Sequence, residues 1–181
     1  MNVLLGISGG IAVYKACDLV RRLREREVEV QVVMTQSAQR FVTPLTFETL
    51  SERPVATSLF DPADPSIEHI RLARWPAVIL VAPATADVIG RMAHGLADSL
   101  LTTVVLAARP DVPVVIAPAM NTMMWEHPLV RRNMDLLAAV DEGRRYRFVE
   151  PASKTLACGE TGAGALAEVP DLVEAALAAA P

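Results

Sequence analysis

Short apolar segments, separated by longer stretches with helical periodicity, restrict this chain to a small set of folds. Segments rich in Val, Ile and Leu are residues 2–8, 28–34, 77–82 and 114–117, and 147–149 is a candidate fifth strand. Such runs are typical of strands buried on both faces of a parallel sheet. Helical periodicity predicts helices over 11–25, 88–107, 128–140 and 171–180, with short helices and loops over 37–60. The alternation predicts an α/β protein whose parallel sheet is covered by helices on both faces.

Length and charge limit the classes of protein that this chain can belong to. Its 181 residues contain no internal repeat or low-complexity linker, which predicts a single domain over 1–181. A net charge of −4 without a basic cluster argues against nucleic acid as a partner. No apolar stretch reaches the roughly 18 to 20 residues of a membrane span, and the N-terminus lacks the positive region of a signal peptide. Cys17 and Cys158 form no CxxC pair, and the sequence therefore predicts a cytoplasmic protein.

Small and polar residues follow each predicted strand of the sheet. They are 8–10 after the first strand, Thr35 and Ser37 after the second, 85–87 after the third, and 120–121 after the fourth. Ligands of such sheets bind beyond the carboxyl ends of the strands. The sequence thus predicts one ligand crevice at this edge, although the same residue types also terminate strands without binding anything.

The turn after the first strand is suited to an anion. Gly9 and Gly10 lack a Cβ atom, so backbone amides and a helix N-terminus can approach a ligand closely. The turn matches neither GxGxxG nor the phosphate loop GxxxxGK[ST], and the second strand ends without the acidic residue that would hold a dinucleotide ribose. The hydroxyls of Thr35 and Ser37 suit a single phosphate such as that of FMN. This pattern favours a mononucleotide over a dinucleotide.

Five segments carry a resemblance to a known family. They are SGGIAVYK at 8–15, IEHIRLARW at 67–75, APATA at 82–86, PAMNTMMW at 118–125 and LACGETGAG at 156–164. Through them the chain resembles the homo-oligomeric flavin-containing cysteine decarboxylases, and PAMNTMMW has every fixed position of the family's PxMNxxMW. The likeness runs from Asn2 to about Ala167. It implies a Rossmann-like, doubly wound single domain that binds FMN, and a homotrimer or homododecamer with its active site at a subunit interface.

The resemblance also implies a reaction. The chain is most like the members of the family that act in coenzyme A biosynthesis, and this implies a carboxy-lyase that converts 4'-phospho-N-pantothenoylcysteine to 4'-phosphopantetheine. FMN would oxidise the substrate thiol to a thioaldehyde, carbon dioxide would leave, and the enethiolate would be protonated and reduced by the flavin. The protein then has to position the substrate and move protons. A phosphopantothenate–cysteine ligase, separate or fused, is the implied partner, and the chain is either a stand-alone enzyme or an excised domain.

Three catalytic residues are carried over by the motifs. His69 corresponds to the base that takes the substrate's thiol proton, with a helix-capping histidine as the alternative. Asn121 corresponds to the residue that holds the substrate carboxylate, with a turn residue as the alternative. Cys158 corresponds to the proton donor on a mobile lid around 151–166, with an incidental loop cysteine as the alternative.

Further residues are predicted to contact the cofactor or the substrate. The predicted cofactor site consists of Gly9, Gly10, Ile11, Thr35, Ser37, Thr85, Ala86, Asp87 and Ala119. Met123 and Arg74 join Asn121 as predicted substrate contacts. Met123 could equally fill core, and Arg74 could equally make a surface salt bridge. No metal site is predicted.

Two departures from the family pattern bear on these roles. Relatives usually carry an asparagine where this chain has Asp87, which replaces a donor with a carboxylate. In the lid, family members often read GxGRM, whereas this chain reads Gly164-Ala165-Leu166 and so lacks an arginine suited to holding the substrate phosphate.

Other functions remain open on the sequence alone. One alternative is decarboxylation of a C-terminal cysteine in a peptide, which would use the same His, Asn and flavin. Another is a flavin-binding regulatory protein without turnover, although such a protein would be expected to lack one of the three catalytic residues. Flavin prenyltransferases share the fold, but the combination of PAMN, HI and a lid cysteine argues against them and against a flavodoxin-like electron carrier.

Overall fold

The computed structural model describes residues 1–60, 68–155, 159 and 161–180, with the side chain of Glu68 left out of the description. The helices and strands are, in chain order, β1 (Asn2–Ile7), α1 (Val13–Glu25), β2 (Glu29–Met34), α2 (Pro44–Ser51), α3 (Glu68–Arg74), β3 (Val78–Ala84), α4 (Ala86–Ala93), α5 (Leu100–Ala107), β4 (Val114–Pro118), α6 (Thr122–Trp125), α7 (Pro128–Ala138), β5 (Tyr146–Phe148), β6 (Ala152–Thr155), β7 (Thr161–Ala165) and α8 (Val169–Ala179). Short 3₁₀ turns lie at Ala38–Arg40 and Val140–Gly143.

The five strands β1 to β5 form one parallel sheet in the order β2-β1-β3-β4-β5. β1 is an internal strand and pairs with both β2 and β3, so that Gly6 lies between Val33 and Val81. β3 and β4 are buried along their whole length, because helices cover both faces. The predicted α/β class and doubly wound parallel sheet are confirmed.

Two apolar clusters pack on opposite faces of the sheet. One contains the inner residues of α1 and α8, and the other contains those of α4, α5 and α7. The contact between α5 and the sheet is close: a Cβ atom on Gly6 of β1 would overlap the side chain of Leu101. Alternate residues of each strand therefore point into different clusters, as Leu4 and Leu5 do.

The predicted helix over 88–107 is wrong as a single element. α4 ends at Ala93, and α5 begins only at Leu100. Gly95 adopts a left-handed conformation with φ of 65°, which ends α4. Ser99 then starts α5 with a capping box, its hydroxyl accepting a hydrogen bond from the Thr102 amide at 3.2 Å.

The carboxyl end of β3 extends two residues beyond the predicted end at Ala82. It continues through a cis Ala82–Pro83 peptide bond to Ala84. Pro83 has no amide hydrogen to donate, but its carbonyl accepts a hydrogen bond from the amide of Ser8 at 3.2 Å. Ala84 accepts another from the amide of Ala119 at 3.0 Å. These bonds join the ends of β1, β3 and β4.

The stretch around 151–166, which was predicted to form a mobile lid, contains a β-hairpin. β6 and β7 form an antiparallel pair with Lys154 opposite Gly162 and Thr155 opposite Thr161. Two short helices, α3 and α6, also form where no helix was predicted. Among the helices within the described residues, none combines the length and apolar character that a membrane crossing requires.

Candidate flavin and substrate site

A cavity of about 670 Å³ opens beyond the carboxyl ends of the strands. It lies where the strand order reverses between β1 and β3, which is the usual ligand position in such sheets. Residues 9–12 follow β1 and line one wall, 85–86 follow β3, 119–121 follow β4, and the β6–β7 hairpin closes another side. Its volume lies within the roughly 300 to 1,000 Å³ typical of cofactor and substrate pockets.

Ser8 connects the turns that follow β1 and β3. Its hydroxyl is buried, donates to the Pro83 carbonyl at 2.7 Å and accepts from the Thr85 amide at 2.9 Å. A hydroxyl can serve as donor and acceptor at once, and here both capacities are used. Ser8 was predicted to lie at the crevice, but this connecting role was not predicted.

The two glycines after β1 serve different purposes. A Cβ atom on Gly9 would lie 2.7 Å from the backbone carbonyl carbon of Ser37, so the close packing of the turn after β2 requires glycine there. A Cβ atom on Gly10 would have Thr85 Cγ2 as its nearest neighbour, at 3.8 Å, in the cavity. Gly10 thus leaves space in the cavity for a ligand, whereas Gly9 allows the turn after β2 to pack closely against the turn after β1.

The start of α1 is suited to an anionic ligand. Ala12 occupies the N-cap position, where no side chain bonds to the helix amides. Helix N-termini carry partial positive charge and attract phosphates. The cavity volume, the open space at Gly10 and this helix start together fit a mononucleotide-sized cofactor with an anionic group.

Thr35 and Ser37 lie next to this turn but do not line the cavity. The hydroxyl of Thr35 accepts a hydrogen bond from the Ala38 amide at 3.3 Å, and Ser37 packs on Gly9. Their predicted contact with a phosphate therefore stays a prediction. Within this chain they shape the turn that lies beside the cavity.

Asn121 lies on the cavity wall at the end of β4. Its side-chain oxygen accepts a hydrogen bond from the Met123 amide at 2.8 Å and thereby caps α6. This bond fixes the orientation of the amide, because the oxygen is engaged by α6 and the side-chain nitrogen carries the donors. Met123 itself is 71% exposed and does not line the cavity, whereas its neighbour Met124 does.

The β6–β7 hairpin rests directly on the segment that carries Asn121. The Met120 amide donates to the Gly164 carbonyl at 2.8 Å. A Cβ atom on Gly164 would overlap the Met120 carbonyl oxygen, and one on Gly162 would lie 2.6 Å from Thr122 Oγ1. Glycine at both positions lets β7 approach this segment more closely than any other residue would.

Among the described residues that line the cavity, the charged side chains are those of two lysines. Lys15 comes from α1 and Lys154 from β6. Burial lowers the pKa of Lys15, and the nearby charge of Lys154 lowers it further. A hydrogen bond to Glu168 raises the pKa of Lys154, and the same bond lowers the pKa of Glu168. Neither lysine was among the predicted site residues.

Several predicted site residues lie elsewhere on the chain. His69 is half-buried on α3 and does not line the cavity, and Arg74 is exposed at the end of the same helix. Asp87 is also outside the lining, where its carboxylate accepts a hydrogen bond from Arg91 Nε at 2.9 Å. Cys158 lies outside the described residues. The structure brings together seven predicted site residues in the cavity lining, namely Gly9, Gly10, Ile11, Thr85, Ala86, Ala119 and Asn121.

Comparison with curated proteins gives relatives along nearly the whole chain. The coenzyme A biosynthesis bifunctional protein CoaBC of Bacillus subtilis is 52% identical over 176 residues, which are 97% of this chain and 42% of that protein. The probable phosphopantothenoylcysteine decarboxylase of Streptococcus mutans is 42% identical over 174 residues, which are 96% of this chain and 95% of that protein. This chain thus spans less than half the length of its bifunctional relatives.

Solved structures share the fold. A PPC decarboxylase mutant complexed with pantothenoylaminoethenethiol superposes with a TM-score of 0.82 at 34% identity, covering 96% of this chain and 94% of that one. The FMN-dependent cysteine decarboxylase SpaF gives a TM-score of 0.82 at 32% identity, covering 98% of this chain and 95% of that one.

The doubly wound sheet and the cavity at its strand-order reversal define a nucleotide-binding α/β protein. Residues 1–180 match the family described as Flavoprotein. The chain belongs to this flavoprotein family, and the resemblance inferred from its motifs is confirmed at that level. Membership of the family supports a flavin as the cofactor of the cavity.

Proposed function

We propose that this protein is a carboxy-lyase of coenzyme A biosynthesis, which uses FMN to convert 4'-phospho-N-pantothenoylcysteine to 4'-phosphopantetheine. The observation that carries the proposal is the position of Asn121 in the same cavity as Gly10 and the open start of α1. A cofactor and a carboxylate-bearing substrate can therefore share one crevice. The similarity to the Streptococcus mutans protein, which has nearly the same length, supports this choice.

When bound, the flavin would supply the removal of two electrons from the substrate and their later return. The chain itself has to hold the substrate carboxylate near the flavin. The side-chain nitrogen of Asn121 can donate to that carboxylate, with its orientation fixed by the bond between its oxygen and Met123. A neutral donor holds a carboxylate without the strong ground-state stabilisation that a cation would provide, so departure of carbon dioxide remains feasible.

His69 is proposed as the base that takes the thiol proton, although it lies outside the cavity of its own chain. We therefore propose a homotrimer or homododecamer in which another subunit brings its His69 to this cavity. Apolar side chains at the cavity rim support such an interface: Ile11, Tyr14 and Met124 line the cavity and are also exposed. Exposed apolar groups beside a binding site are typical of protein interfaces.

Cys158 is proposed as the proton donor to the enethiolate of the substrate, on a lid formed around 151–166. The arms of the β6–β7 hairpin precede and follow this position in the chain, and Thr155 and Gly164 line the cavity. A Cys158→Ser variant should release carbon dioxide yet accumulate the enethiol. Formation of normal product by that variant would remove Cys158 from the mechanism.

The test starts with the purified 181-residue chain. Its visible spectrum and the chromatographic identity of the released flavin are measured first, and 4'-phospho-N-pantothenoylcysteine is then added without oxygen. We expect bound FMN and a product lighter by one carbon dioxide. A chain that binds no added FMN would contradict the cofactor.

Two rival functions have their own outcomes in this test. A flavin-loaded chain that decarboxylates only a peptide with a C-terminal cysteine would establish the peptide substrate. A flavin-loaded chain that acts on neither substrate would favour a regulatory role. The cytoplasmic location and the partnership with a phosphopantothenate–cysteine ligase remain part of the proposal.

A further inference from the structure

The lysines of this chain are concentrated at one place. The sequence contains only two, Lys15 and Lys154, and its other basic residues are all arginines. Both lysines line the cavity, although 138 positions separate them along the chain (154 minus 15, less one). Among the described residues, every ion pair except that of Lys154 with Glu168 uses arginine, whereas the two compact ammonium groups lie beside the candidate active site. Neither lysine has a part in the proposed decarboxylation.

Lys15 and Lys154 line the same cavity, and the charge of Lys154 lowers the pKa of Lys15. Two ammonium groups that share one cavity repel each other. Glu168 is the carboxylate beside them and pairs with Lys154. With both lysines charged, the cluster of two cations and one anion has a net charge of +1. An anionic ligand would relieve this excess.

The cluster also has donors to offer. An ammonium group carries three N–H donors, and Glu168 accepts from Lys154 through one oxygen. Lys154 is held on β6, whose partner strand β7 is anchored to Met120 by a hydrogen bond of 2.8 Å. The hairpin therefore fixes Lys154 relative to the wall that carries Asn121.

We propose that Lys15 and Lys154 form a binding site for a phosphate monoester at one end of the cavity, which selects phosphorylated over unphosphorylated substrates. The inference rests on the proposed function, since a substrate with a carboxylate at one end and a phosphate at the other would contact Asn121 and the two lysines together. Lysine binds phosphate as a point charge, so the site selects the charged group and tolerates some variation in its geometry. Lys154 acts here as a specificity-determining residue.

The experiment compares Lys154→Met and Lys15→Met with the wild-type chain, each loaded with FMN. The matched control is Arg26→Met, which also removes an exposed cation paired with a glutamate, Glu174, on α8. Kinetics are measured with 4'-phospho-N-pantothenoylcysteine and with N-pantothenoylcysteine. We expect KM for the phosphorylated substrate to rise at least about tenfold in both lysine variants. The kcat, the flavin content and the KM for the unphosphorylated substrate should change little.

A binding measurement separates this inference from the proposed function. Calorimetric titration with 4'-phosphopantothenate and with pantothenate does not depend on turnover. In one outcome, the wild-type chain binds the phosphorylated probe more tightly, the lysine variants lose this preference, and the wild-type chain decarboxylates neither substrate. This outcome would support the phosphate site and contradict the proposed function. Equal binding of the two probes in an active wild-type chain would overturn the site and leave the function standing. Loss of FMN from the lysine variants would assign the cluster to the cofactor phosphate and also overturn the inference.

Discussion

The Ser8 hydroxyl donates a hydrogen bond of 2.7 Å to the carbonyl of Pro83, and this bond joins β1 to β3 at the point where the strand order reverses. The same hydroxyl accepts from the amide of Thr85 at 2.9 Å. The cavity needs two turns, one after each strand, in a fixed relative position. The buried Ser8 side chain provides this connection together with the bond from the Ser8 amide to the Pro83 carbonyl.

Removal of that hydroxyl should weaken both the fold and the site. Ser8→Ala removes the side-chain partner of the Thr85 amide and leaves the Pro83 carbonyl with the Ser8 amide as donor, which should lower the free energy of unfolding by about 1 to 3 kcal/mol. Flavin retention should fall as well, because the turns after β1 and β3 lose the side-chain part of their connection. Urea denaturation and flavin absorbance measure the two effects. Ser58→Ala, which removes an exposed hydroxyl, is the control, and equal behaviour of the two variants would contradict the role of Ser8.

The contact between β7 and the Asn121 segment should be sensitive to one methyl group. Gly164→Ala places a Cβ atom against the Met120 carbonyl oxygen, at a φ of 128°. We expect turnover to fall at least about tenfold, since small displacements at an active site have large effects on rate.

Gly95→Ala provides the matched control for this substitution. Gly95 also has positive φ, 65°, but nothing lies within 4 Å of its Cβ position. Gly95→Ala should lower the free energy of unfolding by about 1 kcal/mol and leave turnover unchanged. Similar losses of turnover in both variants would attribute the effect to backbone strain and not to the hairpin contact.

A shared active site can be tested by mixing variants. His69→Asn should retain flavin and lose turnover, and so should Asn121→Asp, which preserves the cap of α6 but places a negative charge beside the substrate carboxylate. Oligomers reassembled from both variants should regain part of the activity, because some cavities combine an intact Asn121 with an intact His69 of a neighbouring subunit.

If the mixed oligomers regain no activity, His69 and Asn121 of each active site come from the same chain. His94→Asn is the matched histidine control, since His94 is exposed and hydrogen-bonds Asn133 at 3.1 Å. It should retain both flavin and turnover. Loss of turnover in this variant would show that histidine substitutions act through stability.

The pair of Lys154 and Glu168 should be visible in a titration. The hydrogen bond from Lys154 holds the pKa of Glu168 below its ordinary value of about 4.3. The pair therefore contributes to stability at neutral pH, and this contribution is lost as the pH falls through the lowered pKa. Carbon-13 NMR titration of the Glu168 carboxyl should show its pKa rising toward the ordinary value in Lys154→Met. An unchanged titration curve would contradict the pairing.

The lysine cluster is the part of the site that was not predicted from the sequence. That the chain contains two lysines among 17 basic residues can be read from its composition. Their convergence cannot be read from it, because Lys154 lies on a hairpin whose register places it opposite Gly162, in a segment that was predicted to be a mobile lid. Thr161 to Ala165 contain two glycines and two alanines, a composition that local propensity does not associate with a strand.

The sequence by itself determined the parallel sheet, the position of the crevice and the family. The strands are apolar runs buried on both faces, and the motifs at their carboxyl ends are read directly from the residues. Tertiary structure alone decided which of the predicted residues share one cavity. Asn121 meets Gly10 there because Ser8 and the backbone bonds of Pro83 and Ala84 align three strand ends. His69 lies apart on α3, since contacts between residues distant in sequence depend on how the helices pack, and no local pattern encodes them.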